Sequence, residues 1–80
     1  MKIPVIKQLI EKYSITELVA AENDILEERQ PDIKDAGDDT GDQLTNIMAA
    51  IWIKNKMAEK DIDLRSALRA YSQMVRDSIN

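Results

Sequence analysis

Thr40–Lys60 reads TGDQLTNIMAAIWIKNKMAEK. It holds the chain's only Trp and two of its four Met. At about 100° per residue, Leu44, Ile47, Met48, Ile51, Trp52 and Ala58 share one broad face, and Ala50, Ile53 and Met57 form a second apolar strip almost opposite. One packed layer covers only one side of a helix, so a helix that is apolar on two sides is covered twice, by its own chain or by a second copy. The segment therefore predicts the central helix of an all-α bundle, with the rest of the chain as its cover.

Working outward, the link Lys60-Asp61-Ile62-Asp63 is short, which makes the next helix fold back antiparallel. Asp63 is a suitable N-cap, and Leu64, Ala67, Leu68, Tyr71, Met74, Val75, Ser78 and Ile79 form its inward face. Upstream, PDIKDAGDDTGD (31–42) holds both Gly and reads as a loop interrupted by Ile33, with Thr40 or Asp42 placed to cap the central helix. Ser14-Ile15-Thr16-Glu17 is a capping box, in which the Ser hydroxyl and the Glu carboxylate each satisfy the other residue's amide. It opens a helix that Pro31 stops. Pro4 suits a first helical turn, and Val5, Ile6, Leu9, Ile10 and Tyr13 follow at helical spacing, although a short strand at 3–6 is the alternative for such β-branched residues. The expectation is a single α-helical domain over residues 1–80, a small bundle of about four helices at roughly 4–12, 15–29, 42–59 and 63–79, closed by a C-terminal antiparallel hairpin.

Eighty residues bury only about 63% of the surface that the unfolded chain exposes, which is marginal for a lone core. Small domains usually add disulfides, a metal or a second subunit. With no Cys and no His in the sequence, the first staple is missing and the second lacks its commonest ligand. A homodimer is the staple left, with Trp52 or the Ala50, Ile53, Met57 strip as the expected interface. The absence of Cys fits a reducing cytoplasm, and no run approaches the ~18 apolar residues of a membrane span. The formal net charge of −4 disfavours nucleic acid and anionic membranes as partners. The charge is local: +1 over residues 1–21, −7 over 22–42 and +2 over 43–80.

Four groups of residues merit weighing as sites. Asp35, Asp38, Asp39 and Asp42 offer oxygen ligands to a hard cation, but their spacing does not match a calcium loop, and a solvated loop with capping duties is the stronger reading. Arg65, Arg69 and Arg76 lie together on one flank of the last helix, where they can pair with the acids of 22–42, stand in solvent, or hold a phosphate or carboxylate. Trp52 divides evenly between core and subunit interface. Gln43, Asn46 and Asn55 share the central helix, where a polar group at a packed position can fix register. Without His or Cys no nucleophile–base pair is in sight, so no enzyme, metal or cofactor is expected. The leading expectation is a cytoplasmic protein-interaction or adaptor protein acting as a homodimer on another protein. The alternative is a small-ligand or ion-binding regulator that uses the Arg flank or the acidic loop.

The opening Ile3-Pro-Val-Ile-Lys-Gln-Leu9, the block Gly41-Asp-Gln-Leu-Thr45 running into Ala49-Ala-Ile-Trp-Ile-Lys54, and the closing Ala67-Leu-Arg-Ala-Tyr71 with Val75, Arg76, Ser78 and Ile79 resemble a small bacterial family, a domain of unknown function of about this length. The resemblance covers essentially the whole chain. It brings no activity, cofactor or functional residue with it.

Overall fold

A computed structural model describes residues 2–79, with side chains described for 2–78. It contains four α-helices and, among the described residues, no strand: α1 Ile3–Lys12, α2 Ile15–Leu26, α3 Thr40–Lys60 and α4 Leu64–Ile79. Each start has a local cause. Pro4 sits in the first turn of α1, where its missing N–H leaves no helical bond unmade. The Ser14 hydroxyl accepts from the Glu17 amide at 3.1 Å, and the Glu17 carboxylate accepts from the Ser14 amide at 2.9 Å, which is the expected capping box. Asp63 caps α4 by accepting from the Ser66 amide at 2.8 Å, and that bond holds its carboxyl below its ordinary pKa. The cap of α3 is neither Thr40 nor Asp42. It is Asp39, which accepts from the Asp42 amide at 2.8 Å, so α3 begins two residues earlier than expected.

α2 ends at Leu26, three residues before its expected end. Glu28 takes a left-handed conformation, φ 60°. Its amide bonds back to the Ile25 carbonyl and the Arg29 amide to that of Asp24, the two closing bonds of a Schellman turn. Such a turn usually carries Gly. Here Glu28 tolerates the conformation while the Arg29 guanidinium folds onto Asp24 and Glu27. α3 stops in a related way, with Asp61 left-handed at φ 52° and the Asp61 and Ile62 amides both directed at the Met57 carbonyl.

α3 packs against each of the other helices, and the three outer helices have no Cα pair within 8 Å of one another. The burial pattern of α3 separates its two apolar faces. Asn46, Ile47, Ala49, Ala50 and Ile53 are buried, an arc centred on the Ala50–Ile53 strip. Apart from Ile47, the broad face is the more open one: Met48 and Ala58 are exposed and Leu44, Ile51 and Trp52 half-buried. Small residues such as Ala49 and Ala50 let neighbouring helices approach and so mark the packed side. Ile6, Leu9 and Ile10 of α1, Leu18, Ala21 and Ile25 of α2, and Ala67 of α4 complete the core with this arc.

The loop between α2 and α3 is also part of the core. Pro31, Ile33 and Ala36 are buried in it. Gly37 passes so close to α3 that a Cβ there would meet the Gln43 backbone nitrogen at 2.9 Å and the Asp42 carbonyl carbon at 3.0 Å. The close approach, not an unusual φ, is what requires glycine.

Candidate interaction surface

The acidic loop is secured to the rest of the chain, and its carboxylates are engaged. Asp35 accepts from Lys12 Nζ at 2.9 Å and from the Tyr13 hydroxyl at 3.1 Å, and the adjacent ammonium keeps its carboxyl below the ordinary range. Asp38 accepts from Lys2 Nζ at 2.9 Å, with the same effect. Asp39 caps α3, and Asp42 Oδ2 lies 3.4 Å from the Asp38 amide. Among the described residues no group of three or more acids is arranged to hold a metal ion. Beneath the loop lies Asn46, the only buried polar side chain among the described residues. Its Nδ2 donates to the Ala36 carbonyl at 2.8 Å and its Oδ1 accepts from the Lys2 amide at 3.2 Å. One amide thus ties the loop and the start of α1 to the middle of α3. The sequence reading marked Asn46 as a register residue but had no signal for its partner, because Ala36 contributes only backbone.

Arg65, Arg69 and Arg76 are exposed on one side of α4, as their spacing requires. Pairing with the acids of 22–42 within the chain does not occur: among the described residues none of the three has an acidic partner within 4 Å. Arg65 shares a shallow depression with Lys7, Asp63, Leu64 and Leu68. The acids instead take Lys2, Lys12 and Arg29, which lie closer to them in the fold.

The other side of α4 bounds a groove of about 550 Å³ against α3, walled by Trp52, Lys56, Ala70, Gln73, Met74 and Asp77. Trp52 and Tyr71 pack with ring centroids 5.4 Å apart and planes at 60°, a tilted contact of the kind aromatic pairs favour. Lys56 Nζ stands 5.3 Å from the centre of the Trp52 ring, within cation–π range. Gln73 Nε2 donates to Asp77 at 3.0 Å. Met48, one turn before Trp52, is 49% exposed, and Met74 across the groove is 36% exposed. Of the residues expected at an interface, Ala50 and Ile53 are wholly covered by their own chain and have no surface to offer a second copy. Met57 is half-buried beside the core, and Trp52 belongs to both settings, with one part packed on Tyr71 and the rest lining the groove.

No helix among the described residues is long and apolar enough to cross a membrane. No curated protein and no solved structure matches the chain. A family model does match it, over residues 1–80, the full length across which the Gly41–Lys54 block and its flanks carried a resemblance. This chain is a member of that family, a family of unknown function (DUF6952).

Proposed function

We propose that the chain is a small cytoplasmic protein-interaction module that acts as a homodimer and docks a further protein, without catalysis of its own. The observation that carries the reading is the uncovered side of α3. Three helices cover the other sides, and the fourth presents Met48 and Trp52 beside Met74 of α4. Trp and Met are enriched at the centres of protein interfaces.

Sedimentation equilibrium of the wild type and of Met48→Asp tests the dimer. The expected result is a dimer that the substitution dissociates while the melting temperature of the monomer holds, because Met48 is not part of the buried core. A wild type that stays monomeric at every concentration refutes the self-association. An affinity capture that returns no specific partner counts against the adaptor role.

One observation favours a second reading. Arg65, Arg69 and Arg76 are exposed along one flank of α4 with no ion pair within 4 Å among the described residues, which suits a regulator that binds a phosphate or carboxylate ligand. Any ligand that prefers the folded state raises the melting temperature. A flat thermal-shift response to phosphate, nucleotides, Mg²⁺ and Ca²⁺ removes this alternative.

A further inference from the structure

We infer that in the dimer Lys56 of one copy pairs with Asp77 of the other, so that two symmetry-related ion pairs close the α3–α4 groove over a centre made by Trp52 and Met74. The inference rests on the reading of this groove as a self-interface, and it specifies the register of the two copies.

A two-fold interface is isologous, so the patch must be complementary to itself. The groove meets that requirement in its charges as well as its apolar surface. Its α3 wall carries a cation, Lys56, and its α4 wall carries an anion, Asp77. Neither has an ion-pair partner among the described residues. Both are held ready: Lys56 over the Trp52 ring, Asp77 by Gln73 from the preceding turn. A two-fold axis passing midway between the two charges brings each onto the other's counterpart in the second copy. The same axis sets the apolar centre against its own image. The Arg65, Arg69 and Arg76 stripe does not take part in the groove wall. A partner of one charge sign would satisfy only one wall. A second copy of this chain satisfies both.

The test is a charge swap read by sedimentation equilibrium at about 0.1 M salt, with circular dichroism melts confirming that each variant folds. Lys56→Glu alone and Asp77→Lys alone each turn two attractions into two repulsions and are expected to weaken dimerisation by about 10-fold or more. The double swap K56E/D77K is expected to restore it to within about 3-fold of the wild type. The wild-type dimer itself is expected to weaken as salt rises, because exposed pairs are screened. Single swaps that leave a Met48-dependent dimer intact, or a double swap that fails to rescue, overturn the pairing while the dimer stands. A wild type that is monomeric throughout overturns the dimer and the pairing together.

Discussion

Replacing Asn46 with Ala removes the one polar side chain buried at the centre of the fold, and the structure allows its effect to be worked out. The Ala36 carbonyl loses a 2.8 Å bond in a buried setting, and a buried acceptor left unpaired costs about 1–3 kcal/mol. The Lys2 amide loses its 3.2 Å bond but is only part-buried, so water replaces much of it and the net loss is about 0.5 kcal/mol. The void left by the amide group adds roughly 1 kcal/mol at about 24 cal/mol per Å³. The total is about 2.5–4.5 kcal/mol, a fall in melting temperature of roughly 10–35 °C for a domain of this size. Differential scanning calorimetry with urea titration measures it. Asn46→Asp sharpens the test. An ionised carboxylate can only accept, so it faces the Ala36 carbonyl with like polarity, and the loss is expected to match or exceed that of Ala near pH 7. It should ease at acid pH, where a protonated carboxyl can donate. An Asn46→Ala protein within about 1 kcal/mol of the wild type would refute the reasoning, because the loop would then be held by its packing and by the Lys2, Lys12 and Tyr13 contacts without need of the buried amide.

Other perturbations follow from the same geometry. Gly37→Ala drives a Cβ into the backbone of Asp42 and Gln43 and is expected to cost about 1–3 kcal/mol, measured by chemical denaturation. Ile53→Asp buries an unpaired charge at a fully covered site, so circular dichroism should show loss of the fold rather than a folded monomer. Trp52→Ala removes a half-buried ring that packs on Tyr71; the expected loss is about 2 kcal/mol in a thermal melt of the monomer, below the roughly 3–5 kcal/mol of a fully buried aromatic. Asp35 and Asp38 have pKa values lowered by Lys12 and Lys2. Their contribution is complete above the ordinary value of 3.8 and is lost as pH falls through the depressed folded values. The melting temperature should therefore drop below that pH, and less steeply for the D35N/D38N double variant.

The sequence exposed the parts of the fold that depend on short-range chemistry. The capping box at Ser14, the Asp63 cap and the apolar period of α4 were all legible, because each is decided within one or two turns. The end of α2 was not, since Glu28 occupies a left-handed position where the usual signal is Gly. Neither was the loop's membership of the core, which depends on Ala36 and Ile33 meeting α3 from ten or more residues away. The face of α3 that stays open was the hardest to read. Met48 and Trp52 attract notice in a sequence, but helices approach most closely over small side chains such as Ala49 and Ala50. The Arg stripe was legible as a stripe, while its lack of acidic partners depended on where Lys2, Lys12 and Arg29 fall in three dimensions.

Because the outer helices have no close backbone approach to one another, the fold is wired like a wheel with spokes and no rim. The backbone of α4 meets that of α1 and α2 only by way of α3, a rod about 32 Å long at 1.5 Å per residue, from which Asn46 reaches on to the loop. A second copy bound along the open side would touch the hub and one spoke at once. Such a contact would stiffen the one helix that packs against all three others.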